Sequence, residues 1–589
     1  MTTNPRDRIE LWFASAGGLA FDHPWRTLLL VLLLCLPFVL QLPKIVIDNR
    51  PERMFLKDDP ALDDYRRFRE QFGTDEYIVV GMLGDDVFTG AFLSVLRDLH
   101  RDLERHVPYV AEVTSLVNAR HTYGDGDTLV VEGLMEKWPR NAAELAELRV
   151  RALSNPFYLN NLVSPDATMA TVIIRPRSVL LPAEDEVLAG FDSAPTSVES
   201  SGSDGSGQLS SVEFSQMVVA VRDVVRSYRR EGRELYVAGG PVVTDAINRA
   251  VPKDLATLIP LSVLVIAVFL AGLFRRLSGV AMPLAIVVLS LAVSLGFMVL
   301  VGIPLTNITT ILTSFLTVVG VADSVHILSR YFQRLGDHGV PRTAVCEAMH
   351  HSGLAVLMTS LTTSAGLLSF VVADVRPIAE LGVIAPFGVI VALALTLALL
   401  PALLALAPGA ARSARPSPRF DRILASVAHF SCSRSAAILV ISVVLAAMAA
   451  VGMTRLRFSQ NGLKWFKKGA PPRVATEVVD ARLGGTLTIE PVIDTGRTDG
   501  LLDPDFLERL RGAMVWAESL ERGEAYVAKA TSLDTVIMEI NRALNGGDPA
   551  AYRIPDDRRL IAQELLLFEG TGADDLETVS YTHLTLPTN

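Results

Sequence analysis

The sequence predicts an α-helical membrane protein with α/β periplasmic domains, and three observations carry that prediction. Half of the 589 residues are hydrophobic and the mean hydropathy is +0.36, more apolar than soluble globular chains. The excess is gathered into seven blocks of roughly 18–25 residues, the length that crosses a bilayer core as a helix. The chain also repeats itself at offsets drifting from 411 to 417 residues, which marks a tandem duplication.

The blocks run Trp25–Leu42, Leu255–Phe274, Val280–Val301, Ile308–Leu328, Gly353–Ala373, Ile378–Leu406 and Ala436–Met453. Arginines set their orientation. Arg275 and Arg276 follow the second block, and Arg330, Arg334 and Arg342 follow the fourth. Arg412, Arg415, Arg419, Arg422 and Arg434 lie between the sixth and seventh. Basic loops stay in the cytoplasm, which assigns 1–24 and 407–435 to that side. Segment 43–253 and everything from 454 to 578 then lie outside. No small-x-small cleavage site follows the first block, so it reads as a retained anchor. Cys35, Cys346 and Cys432 offer no disulfide framework. The net charge of −10 sits mainly in the two outer segments and says little about partners.

Within 43–253, Gly73–Leu83 reads as a strand leaving a turn. Phe88–His106 has helical periodicity, with Phe92, Leu96 and Leu99 on one face. Thr168–Arg177 and Glu234–Val243 read as further strands, and the alternation predicts small α/β subdomains. Pro195–Ser211 is Gly/Ser-rich and reads as a flexible insert.

The repeat is plain in the residues. YVAEVTSL from Tyr109 returns as YVAKATSL from Tyr526, and FLSVLR from Phe92 returns as FLERLR from Phe506. Phe55, Pro60 and Gly73 match Phe466, Pro471 and Gly484. The first copy is one span, an outer domain and five spans (254–406). The second copy shows its span (436–453) and part of an outer domain (454–578). The reading is therefore of a C-terminally shortened chain, with about five further spans expected in a complete one. VSYTHLTLPTN has no counterpart in the first copy and resembles vector read-through, so 579–589 reads as a non-native tail.

Asp323 is the residue most in need of explanation. It lies about 10 Å inside Arg330 at 1.5 Å per residue, at hydrocarbon depth. A carboxylate there either caps or snorkels towards the cytoplasmic end, or it takes up and releases protons. His326, three residues on, shares a face with Asp323 and Gly320; it either relays protons or hydrogen-bonds the carboxylate. Ser324 is a minor relay candidate, and Gly320 reads as a close-packing position. The fifth block carries Thr359, Ser360, Thr362, Thr363 and Ser364. These either bond back to their own helix, or Thr362 and Thr363 form a polar seam facing Asp323. Pro386 and Pro401 read as kinks or terminators. Cys346 with His350 and His351 has ligand-like spacing, but a metal site is not expected. Gly239-Gly240-Pro241 reads as a turn before a helix. No G-x-x-x-x-G-K-[ST] motif exists, so no nucleotide drive is expected, and no nucleophile elbow points to hydrolytic chemistry.

GVADSVHIL from Gly320, TSLTTSAGLLSF from Thr359 and ELGVIAPFG from Glu380 resemble the resistance-nodulation-division (RND) superfamily. Within it, the chain is most similar to the predicted exporters related to the mycobacterial large membrane proteins (MMPL) and to Patched. Spans two to six also resemble a sterol-sensing domain. The resemblance implies proton-driven export of a lipid or other hydrophobic molecule, in a bacterial cytoplasmic membrane, with Asp323 at the relay position. It implies no cofactor beyond the proton gradient, no nucleic acid, and a possible periplasmic adaptor or homo-oligomer, monomer or trimer. Relay residues of the family face partners on the tenth helix, so the chain by itself is expected to be inactive. Two other readings stand beside transport: a sterol-sensing-type lipid sensor, and an accessory of Sec protein export.

Overall fold

The computed structural model describes residues 5–56, 58–72, 76–125, 128–177, 209–230, 233–407, 418–456, 462–485, 488–522 and 525–569. The proposed tail 579–589 lies outside the described residues. So does the Gly/Ser-rich insert up to residue 208; of its last three residues, Leu209 is buried and Ser211 opens a helix.

In chain order the elements begin with α1 Pro5–Asp22, α2 Pro24–Val39, α3 Pro60–Phe72, β1 Ile78–Leu83 and α4 Gly90–His106. They continue with β2 Val110–Ser115, β3 Arg120–Asp125, β4 Thr128–Gly133, α5 Ala142–Ser154 and β5 Met169–Pro176. Next come α6 Ser211–Arg230, β6 Leu235–Ala238, α7 Gly240–Phe274, α8 Leu277–Leu300, α9 Ile311–His338, α10 Pro341–Leu368 and α11 Arg376–Leu406. The last are α12 Pro418–Ser433, α13 Ser435–Met453, α14 Pro471–Leu483, α15 Pro504–Glu518, β7 Glu521–Arg522, β8 Ala525–Tyr526, α16 Leu533–Leu544 and α17 Arg558–Glu569. Two compact units result: Met1–Lys57 with Ile247–Asn461, and Asp58–Ala246 with Gly462–Asn589.

The first unit is the membrane unit. Among the described residues seven helices are long and apolar enough to span; each expected block overlaps one of them, with Val301, Ile308 and Ala373 falling just beyond the helix ends. The chain is a multi-pass membrane protein. Four spans, α8 to α11, pack on one another, and α2 joins through a close approach at Gly296. A Cβ there would sit 2.0 Å from the Phe38 carbonyl oxygen, so only glycine lets the two backbones meet. The structure refines three expectations. Helix α11 runs through both Pro386 and Pro401, so neither terminates it. The expected strand Glu234–Val243 is cut to Leu235–Ala238. Gly239 turns the chain at φ +114°, and a Cβ there would lie 2.1 Å from the Tyr77 carbonyl, so the helix starts at once. The domain boundary placed at 253/254 consequently falls inside α7, and the units part at 246/247.

Segment 1–24 is more than a tail. Helix α1 lays Phe13 against Gly353, takes Met349 against Gly17 and Cys346 against Gly18. Asp22 closes the contact by accepting from Arg342 Nε and Nη2, both at 2.8 Å.

The second unit centres on an antiparallel sheet in the order β2-β5-β1-β6, with Ile78 opposite Ile174 and Val79 opposite Ala238. Alternation divides its faces. Ile78, Val80 and Met82 join Leu93, Leu96, Leu99 and Leu103 of α4 in the main core. Phe92, expected in that stripe, is only half-buried at its margin, and Leu93 holds the centre instead. On the other face Met169 and Ala238 meet Val479 and Leu483 of α14.

Candidate functional site

The site lies where α9 meets α10. One face of α10 is buried along its length through Val345, Ala348, Ser352, Val356, Ser360 and Ser364. These steps of three and four are the helical repeat, so the face is continuous. Asp323 of α9 is 4% exposed, and Ser360 Oγ donates to its Oδ2 at 2.8 Å. No cation forms an ion pair with Asp323 among the described residues. Further along α9, Arg334 pairs with Glu347 of α10 at 3.3 Å and ties the two helices together.

Of the residues expected here, Gly320 does what its size suggests. A Cβ at this position would stand 3.1 Å from Val287 Cγ2 and 3.6 Å from Ala392 Cβ, so α9 approaches α8 and α11 closely. Ser324 is fully buried, donates back to the Gly320 carbonyl at 3.1 Å and comes within 3.5 Å of Thr396 Oγ1. It faces α11 rather than the carboxylate's partner helix.

Helical phase bears on two expectations. His326 is exposed on the outside of the bundle and makes no hydrogen bond to Asp323 among the described residues. Two successive steps of three leave His326 about 120° around the helix from Gly320, so it turns away from the face that Gly320 packs. Thr362 and Thr363 do not face Asp323 either. Thr362 Oγ1 donates to the Met358 carbonyl at 2.8 Å and Thr363 Oγ1 to the Thr359 carbonyl at 2.7 Å. Such back-bonding satisfies a hydroxyl within its own helix. The hydroxyl that does meet the carboxylate, Ser360, was present in the same run and not singled out. Its phase with Val356 and Ser352 was the signal.

An ion at this depth costs roughly 2.5–3.5 kcal/mol, and a hydrogen bond to a charged group returns roughly 1.5–3 kcal/mol. The two nearly cancel.

Residues 204–438 match the model of the MMPL family. The "Heme uptake protein MmpL11" of Mycobacterium tuberculosis is 28% identical over 204 residues, 34% of this chain and 21% of that protein. The "Mycolic acid-containing lipids exporter MmpL11" of Mycolicibacterium smegmatis is 27% identical over 176 residues, 29% of this chain and 18% of that protein. Among solved structures, a heavy metal efflux pump aligns with a TM-score of 0.30 and 18% identity, over 58% of this chain and 36% of the pump. The matches thus span about a fifth of these curated relatives' length.

Proposed function

We propose that this chain, an MMPL-family protein across residues 204–438, works as a secondary transporter. It moves lipids or other hydrophobic molecules out of the cytoplasmic membrane, and the proton gradient drives it. The observation that carries the reading is Asp323: a carboxyl buried at hydrocarbon depth, held by one neutral donor, Ser360, with no cation paired to it among the described residues. Such a group is costly to keep in a merely structural bundle. Both relatives bear names that concern bulky, largely apolar cargo, one lipid and one heme; lipid is the cargo we favour. In this reading the membrane unit lies in the inner membrane, the second unit faces the periplasm, and no cofactor is required.

The test is Asp323→Asn in the protein expressed from its whole gene and reconstituted with an imposed proton gradient. Asn keeps the shape and can still hydrogen-bond Ser360 but cannot titrate. Transport should fall by at least about 100-fold, the order at which proton-transfer groups contribute, with expression and thermal unfolding unchanged. Parent-level flux in a well-folded Asp323→Asn protein would sink the reading and leave a lipid sensor as its successor.

A further inference from the structure

Two hydroxyls of the membrane unit, those of Ser364 and Tyr331, are buried with no hydrogen-bond partner among the described residues. Ser364 is 8% exposed and Tyr331 is 0% exposed. Leaving a buried polar group unpaired costs roughly 1–3 kcal/mol. Alanine and phenylalanine would fill the same space without that cost. The contrast along α10 is instructive: Thr359, Thr362 and Thr363 each bond back to their own helix, and Ser364 does not.

Their positions bracket the carboxyl. Ser364 follows Ser360 by four residues on the buried face of α10, about 6 Å nearer the outer end of the span. Tyr331 follows Asp323 by eight residues on α9, with buried Ile327 between them at four, so all three keep one face. It stands about 12 Å nearer the cytoplasmic end, and side chains on a helix lean back towards its N-terminus, which for Tyr331 is the direction of Asp323. Charged groups near that end include Arg276, 5.1 Å above the Phe332 ring, exposed Arg330, which donates to Gln333, and the Arg334–Glu347 pair. His326 lies on the exposed side.

Resting on the proton-driven reading above, we propose that Ser364 and Tyr331 hold the waters that complete an outer and an inner half-path to Asp323. A buried polar group with no protein partner is where an internal water is held. In the outer half-path a proton enters from external water and passes through Ser364 and Ser360 to the Asp323 carboxylate. In the inner half-path it leaves Asp323 for the water at Tyr331 and then the cytoplasm. Each oxygen accepts one proton as it releases its own, so one proton travels and no hydroxyl is left ionised.

The experiment follows Asp323 protonation by infrared difference spectroscopy after a pH jump, in right-side-out and in inverted membrane vesicles. Asp323→Asn identifies the band. Ser364→Ala should slow protonation roughly tenfold only when the jump reaches the outer face, and Tyr331→Phe only when it reaches the cytoplasmic face. Ser364→Thr keeps the hydroxyl and should keep the parent rate. Unchanged rates in both variants, or equal slowing from both faces, would overturn the half-paths and return these hydroxyls to packing. An Asp323 band that titrates normally beside neutral hydroxyl variants defeats this inference alone. Transport surviving in Asp323→Asn defeats the reading beneath it.

Discussion

Helix α3, Pro60–Phe72, and helix α14, Pro471–Leu483, lie 411 residues apart and have the same length of 13 residues. The same offset carries α1 onto α12 and α2 onto α13, with Arg8, Glu10 and Ser15 matched by Arg419, Asp421 and Ser426. The strands behave otherwise. Ile78 opens β1 and is fully buried between β5 and β6, whereas Ile489, its counterpart at that offset, is 89% exposed and lies outside any described strand. A helix closes its hydrogen bonds within itself, so the copied pattern rebuilds it anywhere. A strand must find its partners elsewhere in the chain, and no counterparts of β5 and β6 occur among the described residues of the second copy. The sequence differs there too, with Pro491 where β1 has Val80 and Asp494 where it has Leu83. A proline cannot donate to a ladder.

The comparison is most easily broken at the isoleucine pair. Ile78→Ala should cost the second unit roughly 2–5 kcal/mol, because the deleted atoms leave a cavity in a closed core. Ile489→Ala should fall within about 0.5 kcal/mol of the parent. Chemical denaturation of both variants measures the difference, and equal losses would mean that the second segment packs after all. A smaller contrast separates the paired helices. Val479 of α14 is buried beside Met169 and Ala238, so Val479→Ala should cost roughly 1.5–2.5 kcal/mol. Its counterpart Phe68 is half-buried and rests on Tyr65 and Phe72 of its own helix. Although phenylalanine is the larger side chain, Phe68→Ala should cost less than Val479→Ala.

The same physics explains what could be read in advance. Lipid tolerates no unpaired backbone, so spans must be long apolar helices, and all seven were legible from hydropathy. Asp323 was legible because a charge stands out against such a run. Side-chain phase was not: whether Ser360 or Thr362 meets the carboxyl depends on how α10 is rotated against α9, which packing decides. Helix α1 escaped notice because the face it buries is made of Phe13, Gly17, Gly18 and Ala20. Small residues that permit close approach leave little trace in a hydrophobic pattern. The strand ending at Ala238 was overextended because Gly239 allows a turn with no intervening loop.

The finest contrast between the copies is a charge reversal. Tyr109-Val-Ala-Glu112 returns as Tyr526-Val-Ala-Lys529. Glu112 is partly exposed and pairs with Arg175 at the sheet surface. Lys529 is drawn inward, where its Nζ donates to the carbonyls of Pro156 and Leu159, the latter at 3.1 Å. Burial pulls its ammonium down from 10.5 to about 8, against the opposing pull of the Glu518 carboxylate. Below pH 8 folded and unfolded chains both hold this proton, and stability carries the full cost of the buried charge. Between about 8 and 10.5 the unfolded chain holds more protons than the folded one, so stability rises with pH, no more steeply than about 1.4 kcal/mol per unit. Lys529→Met removes both the buried charge and the donor of two carbonyls, and it should flatten the rise across that window. Thermal unfolding from pH 7 to 10.5 separates the level from the slope. A slope that survives the substitution would assign the titration to another group and leave Lys529 as a hydrogen-bond donor alone.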